Sequence, residues 1–270
     1  ASSFIGAALE SICHQTFKNI EVIVIDDAST DATKDVVKAY ASLDERLQLI
    51  ENGRNMGLAH SLNKGCATAK GDFICRLDAD DIAHRHRLER QVTRFEQKPD
   101  LLLLGTNGLY VTEGLRPLYP SRLPIQDWDI RCTCLIMNPF LHSSVMMRSD
   151  VFGSLGLTYN ESLNFAQDWD LWVRVQEKGA VENLQERLVM IRTHSKSLSK
   201  KFQTEQMACG LKIQEKYVKN VLSDQEWDEA VYRGLYQGFL GIPRSDKKLA
   251  IDSIKSSSDA LAILSSVLTR

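Results

Sequence analysis

The residues best suited to chemistry are aspartates, which occur in three short clusters. The clusters are Asp26-Asp27-Ala28-Ser29-Thr30-Asp31, Asp78-Ala79-Asp80-Asp81 and Gln167-Asp168-Trp169-Asp170. The first two follow apolar runs, 22–25 and 73–77, that predict strands, and the third opens an apolar helix. When strands alternate with helices, ligands bind at the carboxyl ends of the strands. The clusters are therefore candidates for one ligand site.

The second cluster has the charge density of a cation site. Its three carboxylates within four residues repel one another, and removing them from water is costly. A divalent cation relieves both penalties. Hard oxygen ligands favour Mg²⁺ or Mn²⁺, which proteins commonly share with substrate phosphates. A solvated turn with an aspartate at a helix N-cap explains the same residues, so the cluster alone leaves both interpretations open.

The other two clusters also have a structural and a chemical interpretation. Asp27, at the end of a strand, could hydrogen-bond the base or ribose of a ligand, whereas Ser29-Thr30-Asp31 also suffices as a helix N-cap. Asp168 and Asp170 open a helix, whose dipole stabilises an ionised carboxylate by about 0.3–1 kcal/mol. They point roughly 200° apart, so only one of them can face a cleft as a general base.

Composition excludes several other classes of protein. With 33 basic and 35 acidic residues the net charge is −2, which gives no electrostatic footprint for binding nucleic acid. No apolar run approaches the roughly 18 residues of a membrane span. The six cysteines form no C-x-x-C pair, so zinc and redox motifs are not expected. Scattered thiols on apolar stretches favour a reduced, cytoplasmic protein.

Strand-like and helical segments alternate over the first two thirds of the chain, which predicts a mainly parallel α/β sheet flanked by helices. The expected strands are 21–25, 47–50, 72–77, and 101–105 with 108–112 as a candidate pair. The expected helices are 7–14, 29–43, 57–70 and 86–97. Beyond residue 199 only helical spacing remains, at 200–222, 224–240 and 246–269. We therefore expect one domain over 1–199 and a helical C-terminal appendage over 200–270, which packs or contacts an acceptor or membrane.

The order of the motifs is more specific than any one of them. Over residues 3–199 the sequence combines strand-DDxSTD, strand-DxDD and xDxDLW, and it resembles the inverting family 2 glycosyltransferases of the GT-A fold. Further matching stretches are Asn55-x-Gly57, Asn63-x-Gly65, Arg87-Leu88-x-x-Gln91, Asn138-Pro139, His142-x-Ser144 and Arg192-x-His194-x-x-Ser197-x-Ser199.

The resemblance implies a role for each matching acid. Asp27 resembles the aspartate that contacts the nucleobase of the donor, and Asp78 resembles the first acid of the DxD motif, near the ribose and metal. Asp80 is similar to the metal ligand that holds the donor diphosphate. Asp168 is similar to the base that deprotonates the acceptor hydroxyl. His194 resembles a histidine near the metal or diphosphate, although a cap at the exit of a strand explains it equally well.

Three further positions qualify the resemblance. His142 falls at the expected acceptor-side wall, where packing or backbone bonding is at least as good an explanation as acceptor contact. Gln167 stands where many relatives have Glu, and it can still orient a neighbour by hydrogen bonding. Relatives begin with an apolar strand before the segment that matches Phe4-Ile5, and this strand is absent here. The chain is therefore expected to be N-terminally incomplete.

The resemblance implies transfer of a sugar from a nucleotide-diphosphate donor to an acceptor hydroxyl, with inversion and with Mn²⁺ or Mg²⁺ as cofactor. By family analogy the donor nucleotide is UDP, the acceptor is a carbohydrate or a lipid-linked molecule, and the pathway makes a surface polysaccharide. Such an enzyme would be cytoplasmic, with peripheral contact at the inner face of the membrane as one option.

Two rival functions are kept at this point. A non-catalytic protein of the same fold would bind the nucleotide-sugar or assist assembly. A haloacid-dehalogenase-like phosphatase would use Asp78 as nucleophile and Asp80 as acid/base. It also requires Thr or Val where Ile82 stands and a late Gly-Asp-x-x-x-Asp, which the sequence lacks.

Overall fold

The computed structural model describes residues 1–135, 137–194 and 202–221. The helices are α1 (Ile5–Cys13), α2 (Thr33–Ala41), α3 (Leu58–Thr68), α4 (Arg87–Gln97), α5 (Asp127–Cys134), α6 (Gln167–Gln176) and α7 (Gln203–Val221). The strands are β1 (Val22–Asp26), β2 (Leu47–Glu51), β3 (Phe73–Cys75), β4 (Ile82–Ala83), β5 (Leu101–Thr112), β6 (Pro117–Pro120), β7 (Met146–Arg148) and β8 (Ala180–Thr193). Every element expected before residue 98 is present, with slightly different ends.

The first two strands form a small parallel sheet. β1 and β2 pair from Val22 opposite Leu47 to Asp26 opposite Glu51. The helices α1 and α2 cover this sheet through a buried apolar cluster that includes Ile5 and Val37. The β-branched run of β1 suits a strand that is largely enclosed, and it ends at the first aspartate cluster.

The remaining strands form a second, mixed sheet in the order β3-β7-β5-β8-β4, with β6 paired to β5. The α/β class is as expected, but the mainly parallel arrangement is wrong: of the six strand pairings within the described ranges, four are antiparallel. One reason is local, since β6 follows β5 after a short turn and must return antiparallel to it. Among the described residues β1 pairs with β2 alone and β3 with β7 alone; the upstream strand stays a prediction.

The two strands expected at 101–105 and 108–112 are one continuous strand, β5, so the candidate pair is a wrong prediction. The two glycines inside this strand serve close packing. A Cβ at Gly105 would overlap the side-chain oxygen of Asn183, and a Cβ at Gly108 would lie 2.8 Å from a methyl of Leu141. β5 therefore runs parallel to β8 along its whole length, from Leu101 to Thr112.

Two buried polar side chains of α4 fix the strands beside the second aspartate cluster. Arg87 donates from Nη2 to the carbonyl oxygens of Arg76 and Val145, at 2.8 and 3.1 Å. Gln91 donates from Nε2 to the carbonyl oxygen of Leu104 at 2.9 Å. Because a buried carbonyl without a partner is costly, these bonds hold the end of β3 against its neighbours.

Contacts divide the chain between Gly210 and Leu211, inside α7. The domain boundary predicted at 199/200 falls in residues 195–201, outside the described residues, and stays a prediction. Helix α7 matches the first of the three helices predicted beyond residue 199, and the other two also lie outside the described residues. In the described ranges, no helix combines the length and the apolar character needed to cross a membrane.

Candidate active site

The second aspartate cluster is the group of side chains that could hold a metal ion in the part of the chain described by the structure. One oxygen each of Asp78, Asp80 and Asp81 lies within 4.8 Å of the others. The backbone turns tightly here, with the N–H of Asp81 donating to the carbonyl of Asp78 at 3.2 Å. The end of β8 closes over the turn, because the backbone N–H of Arg192 donates to Asp81 Oδ1 at 2.8 Å and its Nε donates to the Asp80 carbonyl at 2.8 Å.

Asp78 is engaged by protein partners. Arg76, two residues earlier, donates from both terminal nitrogens to its carboxylate, with 2.6 Å from Nη1 to Oδ2. The hydroxyl of Ser143 donates to the same Oδ2 at 2.8 Å. Desolvation acts to raise the pKa of Asp78, but the charge and hydrogen bonds of Arg76 outweigh it and hold the pKa below its usual range. Asp78 is therefore kept ionised.

Asp80 is the member of the cluster with fewest protein bonds to its carboxylate. Its Oδ2 lies 2.9 Å from His194 Nε2, and its side chain is 31% exposed. The ring of His194 stacks on Phe4 with 5.1 Å between centroids, and the guanidinium of Arg192 lies 4.8 Å from the centroid of the same Phe4 ring. These contacts bring the end of β8 to the second aspartate cluster, so sequence positions 80 and 194 meet in space.

Asp81 is buried with 4% of its surface exposed. Burial raises the pKa of Asp81 to about 7, and the nearby charges of Asp78 and Asp80 add to the rise. Mutual repulsion among three carboxylates is the situation that a bound divalent cation relieves. Three carboxylates with an adjacent imidazole are a donor set that suits Mg²⁺ or Mn²⁺, so the residues fit the cofactor implied by the sequence.

Asp168 lies at the N-terminus of α6, as expected. The residue before the helix, Ala166, has φ 56°, a left-handed conformation that is strained for a residue with a side chain. Asn138 donates from Nδ2 to Asp168 Oδ2 at 2.7 Å. Burial raises the pKa of Asp168, although the Trp169 N–H and the Asn138 amide oppose the rise by favouring the ionised form.

Asp170 faces other neighbours. Its Oδ2 accepts hydrogen bonds from Arg174 Nε at 3.0 Å and Nη2 at 2.7 Å, and only 7% of the residue is exposed. Arg174 also donates to the carbonyl of Thr158 at 2.6 Å. The two aspartates that open α6 therefore have separate surroundings: Asp170 holds a loop against the helix, whereas Asp168 contacts the segment before β7.

Arg76 contacts the second aspartate cluster and also lies within electrostatic reach of Asp168. Burial acts to lower the pKa of this guanidinium, but the carboxylates of Asp78 and Asp168 both act on it from nearby and the pKa is raised. His142 lies in the same region, with Nε2 3.1 Å from the hydroxyl of Tyr159. Burial and the charge of Arg76 hold the pKa of His142 well below its usual range. The imidazole of His142 is therefore uncharged at neutral pH.

The carboxylate of Asp27 is occupied by hydrogen bonds from the segment that precedes α3. This carboxylate accepts hydrogen bonds from the N–H groups of Met56 at 2.7 Å and Gly57 at 2.8 Å, and from Asn52 Nδ2 at 2.8 Å. Desolvation acts to raise the pKa of Asp27, but these bonds outweigh it and lower the pKa. Asp27 therefore anchors the N-terminus of α3, a role that the sequence analysis missed, and its contact with a nucleobase stays a prediction.

The sequence analysis also missed Arg76, Ser143 and the pairing of Asn138 with Asp168. Arg76 carried a usable signal, because residues two apart on an extended strand share a face and Asp78 is two residues on. Asn138 stands in a stretch that matches the family, but nothing in the sequence pairs it with Asp168, and Ser143 carried no signal, since the two side chains reach the acids from 30 and 65 residues away along the chain.

Solved structures define the class of fold. This chain superposes on TarS of S. aureus in complex with UDP-GlcNAc with a TM-score of 0.66 and 16% identity, over 98% of this chain and 78% of the other. It superposes on the mannosyltransferase PcManGT of Pyrobaculum calidifontis, in complex with GDP-Man and Mn²⁺, with a TM-score of 0.61 and 15% identity, over 100% and 83%. The GT-A type of α/β fold expected from the sequence is confirmed.

Sequence comparison then gives the family: residues 1–152 match the profile of glycosyl transferase family 2, so the chain belongs to that family. An uncharacterized glycosyltransferase of Haemophilus influenzae is 31% identical over 231 residues, which cover 83% of this chain and 72% of the relative. The amylovoran biosynthesis glycosyltransferase AmsE of Erwinia amylovora is 31% identical over 196 residues, 72% of each chain. The chain is a glycosyltransferase, and the phosphatase alternative is wrong.

Proposed function

We propose that this protein transfers a sugar from a nucleoside-diphosphate donor, UDP being the first choice, to an acceptor hydroxyl with inversion. The observation that carries the proposal is the grouping of an acidic, imidazole-bearing cluster with a separate aspartate, Asp168, near the guanidinium of Arg76. One acidic group suits a metal and a diphosphate, and the other suits an acceptor. TarS, which has the same fold, was solved with UDP-GlcNAc.

On the donor side, Asp80 and His194 would hold a Mn²⁺ or Mg²⁺ ion, with Asp81 as the third candidate ligand. When bound, such a cation offsets the negative charge that develops on the leaving diphosphate. Asp78, held ionised by Arg76, would orient the ribose. Asp27 would contact the nucleobase. PcManGT, a neighbour of the same fold, was solved with Mn²⁺, which supports testing this cation first.

On the acceptor side, Asp168 would act as the general base. The acceptor oxygen forms a bond to the anomeric carbon while the bond from that carbon to the diphosphate breaks, and the hydroxyl proton passes to the Asp168 carboxylate. Displacement by direct attack inverts the configuration of the anomeric carbon. A carboxylate whose pKa is raised by burial is a stronger proton acceptor than an exposed one, provided that it remains ionised at the working pH.

The biological acceptor follows only by analogy. AmsE is named for the biosynthesis of a polysaccharide, amylovoran, and this supports a carbohydrate or lipid-linked acceptor in the assembly of a surface polysaccharide. A lipid-linked acceptor would place the protein in the cytoplasm, with peripheral contact at the inner face of the membrane. The segment 200–270, which the sequence predicts to be helical, is the candidate for that contact.

The test is a donor screen with the full-length protein. UDP-sugars and GDP-mannose are each incubated with a mixture of oligosaccharide and lipid-linked acceptors, with Mn²⁺ or with EDTA, and products are detected by mass spectrometry. We expect transfer from at least one UDP-sugar in Mn²⁺, and a product whose anomeric configuration by NMR is opposite to that of the donor. Transfer from GDP-mannose alone would correct the nucleotide. Donor binding without transfer from any donor would favour the non-catalytic alternative.

A further inference from the structure

We infer that Asn138 is a positioning residue for the transfer reaction: its side-chain amide holds the carboxylate of Asp168 in one orientation and in the ionised form. The inference rests on the proposed function, because it matters for catalysis only if Asp168 accepts the acceptor proton. It concerns a residue that contacts the proposed base, and it follows from three features of the segment 138–140.

The first feature is the orientation of the amide. The backbone N–H of Phe140 donates to Asn138 Oδ1 at 3.1 Å, which closes a turn of the Asx type. Because a backbone N–H can only donate, the atom of the Asn138 amide that faces Phe140 must be the oxygen. The amide nitrogen, Nδ2, therefore faces Asp168. At 2.7 Å the bond from Nδ2 to Asp168 Oδ2 has the length of a charge-assisted hydrogen bond.

The second feature is the rigidity of the segment that carries the amide. Pro139 restricts the backbone on the far side of Asn138, and its carbonyl accepts a hydrogen bond from Asn183 Nδ2 at 3.1 Å. Phe140 is buried, with 4% exposed. Because the short segment 138–140 is fixed by these contacts, the side chain of Asn138 loses little conformational freedom when it binds Asp168. An effective positioning group requires such rigidity.

The third feature is a shared core between the amide and the base. Phe140 packs edge-on against Trp172 with 5.9 Å between ring centroids, and Trp172 belongs to α6, the helix that Asp168 opens. Trp172 and Leu171 are almost completely buried in the same apolar cluster as Phe140. The donor and the acceptor of the hydrogen bond are therefore fixed to one another through packing.

The consequence for Asp168 has a definite sign. Hydrogen bonds to a carboxylate favour its charged form, so the Asn138 amide works against the effect of burial on this group. Without the amide, more of Asp168 would be protonated at a given acidic pH and unable to accept a proton. The rate would then fall on the acid side of the pH profile, while the metal and donor contacts at Asp80 would be unchanged.

The decisive variant is Asn138→Asp, which keeps the shape of the side chain and the acceptor for the Phe140 N–H. It replaces the donor that faces Asp168 with a second acid, and two adjacent carboxylates cannot both ionise easily. We expect the acid limb of the kcat pH profile, measured as UDP release, to move up by about 1 pH unit or more. UDP affinity in Mn²⁺, measured by calorimetry, should stay within about twofold.

Asn160→Asp is the matched control. Asn160 is exposed, and its Oδ1 likewise accepts from the N–H two residues on, that of Ser162, at 3.0 Å. The substitution adds the same charge and preserves the same kind of turn without touching Asp168, so the acid limb should stay in place. Asn138→Ala removes the donor without adding a charge, and we expect a smaller upward shift; it also serves if Asn138→Asp melts early.

A second readout separates this inference from the proposed function. With ¹³C-labelled aspartate, the carboxyl resonance of Asp168 is assigned by its loss in Asp168→Asn and is then titrated in the full chain. We expect its midpoint to rise in Asn138→Asp and Asn138→Ala but not in Asn160→Asp. An unmoved midpoint and acid limb in folded Asn138 variants would overturn the inference. If no UDP-sugar is turned over, the proposed function fails while the titration still decides the role of Asn138.

Discussion

Asp168→Asn and Asp170→Asn are the same chemical change at two positions of one helix turn, and the structure predicts opposite consequences. At Asp168 the substitution removes the proton acceptor but leaves its volume. Loss of a general base costs typically about 10²–10⁴ in rate, which corresponds to about 3–5 kcal/mol in the barrier. The cluster at Asp80 is untouched, so UDP affinity in Mn²⁺ should be retained within about twofold.

At Asp170 the magnitude comes from the ion pair with Arg174. Two hydrogen bonds, at 3.0 and 2.7 Å, connect a residue that is 7% exposed to a guanidinium that also holds the Thr158 carbonyl. Hydrogen bonds to charged groups contribute about 1.5–3 kcal/mol each, and a neutral amide retains part of this. We therefore expect a loss of about 1–3 kcal/mol in the free energy of unfolding, or a Tm lower by about 2–12 °C.

The assay compares both variants with the unmodified chain in four measurements: kcat, KM for the donor, UDP affinity by calorimetry and Tm. Asp168→Asn should show a lowered kcat with a nearly normal Tm. Asp170→Asn should show a lowered Tm, with a kcat within a few-fold of that of the unmodified chain at a temperature where the variant is folded. The reasoning is refuted if Asp168→Asn keeps near-normal kcat while a folded Asp170→Asn loses it.

Three further substitutions test the metal-side cluster and the scaffold. Asp80→Ala should abolish most of the gain in UDP affinity that Mn²⁺ gives over EDTA in calorimetry, and equal affinities in the unmodified chain would contradict the metal site. Asp78→Ala should lower the free energy of unfolding in urea by about 1–3 kcal/mol, because Arg76, 9% exposed, loses its counter-charge. Glu182→Gln should cost about 1–3 kcal/mol at pH 7 through its bonds to Arg94. Burial acts to raise the pKa of Glu182, but its basic partners outweigh it and the pKa is lowered in the folded state. Its contribution is therefore fully present above the unfolded pKa of about 4.3 and is lost as pH falls through the lower folded-state pKa, so the difference in urea midpoint between the two proteins should shrink progressively below about pH 4.

The fold was largely predictable from the first hundred residues because their elements follow local rules. Local sequence patterns predict apolar β-branched strands, such as 22–25, and amphipathic helices, such as α4. The strands of the second half were harder to predict, since long connections separate β6, β7 and β8. The continuity of β5 through Gly105 and Gly108 depended on the close approach of Asn183 and Leu141, which no local pattern contains. The antiparallel direction of β7 is likewise set by long-range packing.

The candidate site divides in the same way. The aspartates were found because acids at strand and helix ends have a short-range pattern, and the family resemblance added their order. Their partners were not found, because the hydrogen bonds of Ser143 and Asn138 join positions far apart in the chain. A sequence pattern therefore indicated which groups could react, whereas the structure was needed to see which of them are already committed to protein partners.

That distinction changes how the DxD motif of this chain should be interpreted. The three acids differ in what the protein already supplies: Asp78 has Arg76, Asp81 has a backbone N–H, and Asp80 has only the imidazole of His194 among the bonds to its carboxylate described here. A carboxylate that is bound on both oxygens by a guanidinium must give up a strong partner to bind a metal, whereas one whose described partner is an imidazole need not. In the proposed metal site Asp80 would therefore be the primary ligand, and any loss of activity on substitution of Asp78 would include a structural part from the loss of its bonds to Arg76.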